Sequence, residues 1–295
     1  MNNALRIAVV LVFFSLTAAA SVRVASVRTI PRSIPAHTAS EKIHTPTTTQ
    51  AIVRGRLRVL HDPSVAAQER FVRVPVLMYH YIRPILPHMT TSSRWLSVSP
   101  KHFRAQMEEL VRFGYHTITP DDLADAVAGT RALPSQPVLL TFDDGYRDQY
   151  DVALPILKAN GLSATFFVVS DYSHIPSYLT NDQIRELDRS GLITIAAHTR
   201  HHVGLVDVSP SARRDEIFGS KKTLEEIVGH PISAFAYPYG NFNEEVKKLV
   251  KEAGYRTAFS TRLGSIHTSS SLFEARRIRV LDDEHLEPIL RKFGR

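Results

Sequence analysis

Between residues 73 and 293, short apolar runs alternate with helical patterns seven or eight times. The runs are centred on Val76-Leu77-Met78-Tyr79, 115–118, 137–142, 164–169, 193–197, 234–237, 257–260 and 278–281. Between them lie segments with helical spacing and recognisable ends. Ser99-Pro100 opens one whose Phe103, Met107, Leu110 and Val111 share a face, and Gly114 stops it. Others are expected at 121–128, 150–160, 180–190, 209–228 (Pro210 at its first position), 243–253 and 284–293. Strand–helix alternation of this kind requires a parallel sheet covered by helices, so the fold class is α/β. The count, over about 220 residues, suits a closed barrel of about seven parallel strands better than an open sheet. In such folds the chemistry sits at the carboxyl ends of the strands.

The segment before residue 73 reads differently. Arg6 precedes an apolar stretch at 7–16, and Ala18 and Ala20 follow in a small-residue setting, the pattern of a secretory signal. An uncleaved membrane anchor is the alternative. Either way the folded part is expected outside the cytoplasm, secreted, periplasmic or at the cell surface. Residues 21–72 are rich in Ser, Thr, Pro and Arg and read as a basic tether, with a short strand conceivable at 51–60. Residues 1–72 hold nine Lys/Arg and three Asp/Glu, whereas the remainder holds 27 and 26. The basic excess therefore lies in the leader and linker. It could associate with an anionic membrane surface, but a nucleic-acid-binding face on the folded part is not supported. One catalytic domain is expected over 73–295. There are no cysteines, so any metal site must use His and carboxylates.

Several chemically able residues fall at expected strand ends. The buried run Pro137 to Phe142 ends in Asp143-Asp144-Gly145. Asp-Gly is a common turn pair, yet two acids at the mouth of a buried strand are costly unless a metal ion or a substrate proton compensates them. His80 ends an early run. Ala197-His198-Thr199-Arg200-His201-His202 follows another. Histidines four apart can face one ion if the segment turns helically. A carboxylate with two imidazoles suits Zn2+, with Co2+, Ni2+ or Fe2+ as alternatives.

These stretches resemble the NodB-homology polysaccharide deacetylases, carbohydrate esterase family 4. Thr141-Phe142-Asp143-Asp144-Gly145 matches the family's first motif, and His198-Thr199-Arg200-His201-His202 its second, about 50 residues on. Ala236-Tyr237-Pro238-Tyr239-Gly240 matches the third only at Pro and Tyr. The resemblance covers roughly 73–285 and implies a distorted (β/α) barrel. It implies Asp143 as general base and Asp144, His198 and His202 as metal ligands. It also implies that the backbone N–H of Tyr239 helps the metal to stabilise an oxyanion. His201 is read as a polar neighbour.

Two departures matter. Ala236 stands where the family has an arginine that orients the base, and the late motif that supplies the acid is not visible. The start of the chain and the form of the third motif resemble the subgroup acting on poly-β-1,6-N-acetylglucosamine, in which an early histidine is the acid. His80 takes that place here. Arg277, in Arg276-Arg277-Ile278-Arg279, is the candidate replacement for the missing arginine, against a solvent-facing strand edge. Trp95 and Tyr146 could stack on a sugar or simply pack. The expected activity is metal-dependent removal of N-acetyl groups from a β-linked N-acetylglucosamine polymer, poly-β-1,6-linked by preference. Peptidoglycan or chitin oligomers are the other substrates, and an idle polysaccharide-binding protein is the other class. Loops 82–98 and 171–180 are where specificity is expected.

Overall fold

The computed structural model describes residues 69–294; the leader, the linker up to residue 68 and the short strand considered at 51–60 lie outside them. Seven strands form the centre: β1 (Val76–Tyr79), β2 (Pro137–Phe142), β3 (Ala164–Val168), β4 (Ile193–Ala197), β5 (Ala234–Ala236), β6 (Thr257–Leu263) and β7 (Ala275–Arg279). Each pairs in parallel with its sequence neighbour among these seven. β1 also pairs in parallel with β7, Leu77 facing Ile278, so the ring closes. This is the closed (β/α) barrel of seven parallel strands that the alternation predicts.

The strands read as continuous apolar runs because both faces are buried. One face fills the barrel: Val76, Leu139, Phe167, Ala196, Phe259 and Ala275 form one apolar cluster. Leu123 and Val127, from the helix Pro120–Ala128, join it. The other face meets the surrounding helices. There Leu77, Leu140, Phe142, Phe166, Ile195 and Ile278 pack with Phe103, Met107, Ile184, Leu187, Leu224, Val246 and Leu290. The helical face at Phe103, Met107 and Leu110 is buried as its spacing predicts, but Val111, expected on the same face, is exposed.

Several expectations change in detail. The strand expected at 278–281 is displaced to Ala275–Arg279, and the helix expected at 150–160 opens on a π-helical turn, Gln149–Ala153. The strand at 115–118 shrinks to His116–Thr117, which pairs with the start of β2 but is not one of the seven barrel strands. The helix at 209–228 is a continuous helical path broken by a π-helical turn at Asp215–Gly219. The linker boundary at 72 falls inside a strand, because Phe71–Arg73 pairs antiparallel with Ile266–Thr268. Phe71 and Ile266 are exposed, so no apolar run marks this pairing in the sequence. Its buried element is polar instead. His267 is fully buried, donates from Nε2 to the Val74 carbonyl at 3.0 Å, and leaves Nδ1 without a partner.

Burial pushes the His267 imidazole down to about 4 from its ordinary 6.5. The unfolded chain therefore takes up this proton first as the pH falls. Stability contributed by neutral His267 is complete above pH 6.5 and is lost towards pH 4, about 3 kcal/mol in all. Urea unfolding of wild type and His267→Gln at pH 7 and pH 4 should show this part of the acid loss in the wild type only. Parallel acid limbs would refute the assignment.

Candidate active site

The carboxyl ends of the strands converge on one cavity of about 340 Å³, lined by His80, Asp143, Asp144, His198, His202 and Tyr239 among others. His80 follows β1, the two aspartates follow β2, and His198 follows β4. Along β7, Ala275 and Arg277 are buried while Arg276 between them is exposed, the alternation of a strand with one face inside the barrel. Arg277 is 1% exposed, so it is not a solvent-facing edge residue.

Arg277 grips Asp143 in a bidentate pair, Nη1 to Oδ1 at 2.7 Å and Nη2 to Oδ2 at 2.8 Å. Its Nε donates to the Ser260 carbonyl at 2.9 Å. The guanidinium thus arrives from β7 at the carboxylate that the third motif, with Ala236, cannot reach. Burial alone would raise the Asp143 carboxyl; the charges of Arg277, His80 and His198 outweigh it and hold the group below its usual range. His80 Nε2 lies 3.8 Å from Asp143 Oδ2. For His80, burial outweighs the pull of the two aspartates and lowers its value, with Arg279 and Arg277 pushing the same way.

Asp144 faces the histidines. Its Oδ1 lies 3.3 Å from His198 Nε2 and 3.1 Å from His202 Nε2. His198 Nδ1 donates to the Ala236 carbonyl at 2.8 Å, which leaves Nε2 as a lone pair turned to the site. Asp144 Oδ1 is buried with no hydrogen-bond donor of acceptable geometry. Burial again opposes ionisation, but the two histidines hold Asp144 far below the usual carboxylate range. The three ligand atoms lie within 4.8 Å of one another. Ligands about 2.1 Å from one ion at tetrahedral angles stand about 3.4 Å apart, so the trio fits a divalent cation such as zinc.

The turn that carries the histidines is not helical, contrary to the spacing argument. Thr199 and His202 have φ of 64° and 53°, and Thr199 Oγ1 accepts from the His202 N–H at 3.0 Å. His201 points away from the ligands, with Nδ1 2.8 Å from Glu216 Oε1. Glu216 was not singled out in the sequence. It sits on the π-helical turn, is 7% exposed, and its Oε2 accepts from the backbone N–H groups of Arg200 and His201 at 2.8 and 2.9 Å. Arg200 in turn is held by Asp171 and Asp215. This clamp fixes the metal turn from behind.

Gln149 is a second residue that pattern reading misses. Fully buried, it donates from Nε2 to the carbonyls of Asp143 and His80, at 2.5 and 3.1 Å, and so ties two strand ends together. Arg279 is a third. Its side chain lines the cavity with no hydrogen-bond or ion-pair partner among the described residues, and adds positive potential there. Tyr239 has φ of 60°, an exposed side chain, and a ring 4.8 Å from that of His202. Tyr146 lines the cavity and stacks on Tyr81 at 3.6 Å, whereas Trp95 is exposed and does not line it.

The polysaccharide deacetylase family profile matches residues 130–258. YxkH of Bacillus subtilis (strain 168), whose name places it among polysaccharide deacetylases, is 32% identical over 212 residues, 72% of this chain and 73% of that one. This chain belongs to the polysaccharide deacetylase family. The poly-β-1,6-N-acetyl-D-glucosamine N-deacetylase of Escherichia coli (strain K12) is 24% identical over 237 residues, 66% of this chain. The match spans only 35% of that longer relative. Among solved structures, the Streptococcus pyogenes deacetylase PplD in complex with acetate superposes with a TM-score of 0.70 at 29% identity, covering 76% of this chain and 99% of that one. The protein is therefore a polysaccharide deacetylase, a hydrolase with a candidate Asp-His-His metal centre.

Two outcomes test this site in the deacetylase. Arg277→Met should cost about 3–5 kcal/mol in urea unfolding, because it leaves Asp143 buried and uncompensated. Adding Asp143→Asn should recover part of that loss; additive costs would contradict the pairing. Glu216→Ala should weaken zinc binding about 10–100-fold, measured by competition with a chelator. Unchanged zinc affinity would remove Glu216 from the metal turn's support.

Proposed function

We propose that this deacetylase removes N-acetyl groups from a β-linked N-acetylglucosamine polymer, poly-β-1,6-linked by preference, releasing acetate outside the cytoplasm. The domain that does so is placed at 73–295, behind an export leader or anchor and a basic linker. One observation carries the reading most: Asp143 is held by Arg277, faces His80, and is adjacent in sequence to an Asp144-His198-His202 cation site. The name of the Escherichia coli relative and the acetate in complex with the Streptococcus pyogenes deacetylase support the substrate class.

The residues divide the proton work. Asp144, His198 and His202 would hold a divalent cation, zinc by donor set, which would supply Lewis-acid polarisation of the acetamide carbonyl and the attacking water. Asp143, oriented through both oxygens by Arg277, takes a proton from that water as its oxygen joins the carbonyl carbon. The Tyr239 backbone N–H, at the mouth of the same cavity, donates to the developing oxyanion. His80 is neutral at rest. The proton it gives to the leaving amine is the one Asp143 has taken, passed on once their 3.8 Å separation closes to hydrogen-bond distance around the substrate. The C–N bond breaks, and acetate and a free amino sugar leave. Arg279 provides a favourable field for the anion. Arg277 also removes the main support for a catalytically idle scaffold, since the base keeps an arginine despite Ala236.

The test is acetate release by the zinc-loaded full chain from β-1,6- and β-1,4-linked N-acetylglucosamine oligomers and from peptidoglycan. The β-1,6 oligomers should be turned over fastest. Asp143→Asn should lower kcat by at least about 100-fold, and a chelator should suppress turnover until zinc is restored. Full activity in Asp143→Asn would sink the mechanism. Faster release from peptidoglycan would replace the substrate.

A further inference from the structure

A second cavity, of about 480 Å³, shares no lining residue with the catalytic one. Its walls come from the antiparallel ribbon of Phe71–Arg73 and Ile266–Thr268, from β7, and from the last helix, Leu286–Phe293. The ribbon precedes the amino end of β1, whereas the catalytic groups follow the carboxyl ends of the strands. Alternation along the ribbon sets Arg73 opposite Ile266 on its exposed face, while His267 turns inward and is buried. Arg73, Arg276 and Lys292 all line the cavity, and no Asp or Glu does. None of the three makes an ion pair among the described residues. The acids nearest in sequence are engaged elsewhere. Glu69 accepts from Ser269 Oγ and the Ser270 N–H, Glu274 lies 2.9 Å from Arg262, and Glu287 lies 2.6 Å from Arg291.

Two further features show a built site. Arg276 is held in place: its Nη1 donates to the Leu263 carbonyl at 3.2 Å, and its stem runs against Gly264. A Cβ at 264 would lie 2.6 Å from Arg276 Cδ, so the glycine is what admits the arginine there. Its Nε and Nη2 keep their donors free among the described residues. Ser265 lines the cavity and is only 3% exposed, yet its hydroxyl has no partner among the described residues. Three cations on one concave surface, with a spare buried hydroxyl, concentrate anions. Phosphate suits them better than a carboxylate, because it offers more acceptor oxygens and matches the arginine fork. The cavity is much larger than a phosphate group, and Ile266 and Phe293 give it an apolar wall. We propose that it binds a phosphate ester, with the phosphate among Arg73, Arg276 and Lys292 and the organic part against Ile266 and Phe293. The site stands apart from the deacetylase reading and does not depend on it. A lipid headgroup and a soluble ester carry the same chemistry, and the test separates them.

Calorimetric titration of the zinc-loaded full chain tests this with three probes. These are glycerol 3-phosphate, glycerate as its carboxylate counterpart, and dihexanoylphosphatidylglycerol kept below its micelle concentration. At least one phosphate probe should bind about tenfold or more tightly than glycerate. Arg73→Gln and Lys292→Gln, both at exposed positions, should each weaken that binding about three- to fivefold, and the double variant about tenfold. Tighter binding of the lipid than of glycerol 3-phosphate, lost in the double variant, identifies a lipid headgroup as the ligand. Equal or weaker binding of the lipid, with the same loss for glycerol 3-phosphate, identifies a soluble ester. Phosphate held at the catalytic zinc instead would ignore both substitutions and vanish on chelation, and that result overturns the site. So would the failure of both phosphate probes to bind, or glycerate binding as tightly as they do.

Discussion

The Arg277–Asp143 pair sets the interior of this barrel. Two charges inside an apolar ring are costly to desolvate, and only a well-made pair offsets that cost. Here both carboxylate oxygens and both terminal nitrogens are engaged, and the remaining Nε–H is taken by the Ser260 carbonyl. The surrounding residues are sized for it. Ala236 faces Phe259 across β5 and β6, and Phe259 faces Ala275 across β6 and β7. An arginine at 236 as well would add a second large cation to a space that Arg277 and Phe259 already fill. The alanine in the third motif is thus the counterpart of the arginine on β7. The same base is served from a different strand.

This exchange shows what the sequence could and could not disclose. The barrel was legible because strands buried on both faces write continuous apolar runs, and glycines mark the helix ends between them. The site was legible because polar residues at the ends of such runs have few structural reasons to be there. Other features leave no such trace. The Phe71–Arg73 strand pairs with Ile266–Thr268 through backbone bonds, with Phe71 and Ile266 exposed and a histidine, His267, as the buried element. Glu216 looks like an ordinary helical glutamate until the π-helical turn and the fold set it behind residues 200 and 201. Gln149 acts on two carbonyls, which no side-chain pattern can announce. The helical turn expected from the His198–His202 spacing failed for a related reason. A four-residue separation is compatible with several backbones, and the choice is made by Thr199 and the Glu216 clamp rather than by the spacing.

The electrostatics follow from this division of labour. Asp143 and Asp144 are neighbours in sequence, and two ionised carboxylates so close would repel strongly in a buried setting. Each has its own compensation. Asp143 has a permanent cation from the protein. Asp144 has two imidazoles beside it, that of His198 with its Nδ1 proton directed to the Ala236 carbonyl, so that a metal cation is the natural partner of its unsatisfied Oδ1. The two acids can then remain ionised together, one to accept a proton and one to hold charge in place.

Their adjacency is useful only because the backbone bends for it. In an extended strand, consecutive side chains point to opposite faces. Leu139, Thr141 and Asp143 occupy alternate positions on β2 and just beyond it, and that alternation brings Asp143 to Arg277 inside the barrel. The next residue would by that rule point into the helical layer. Instead Asp144 has φ of 74° and Gly145 φ of 72°, and Asp144 meets the histidines at the mouth of the barrel. Gly145 has no alternative, because a Cβ there would lie 3.3 Å from the Val168 Cα in a conformation that already disfavours side chains. Five non-glycine residues among those described have positive φ, and four of them are Asp144, Thr199, His202 and Tyr239. Each left-handed non-glycine residue costs on the order of 1–3 kcal/mol. Their concentration around one cavity means that packing elsewhere in the barrel over-determines these turns. The strain is confined to the places where a regular strand end would aim the side chain or the backbone N–H away from the substrate.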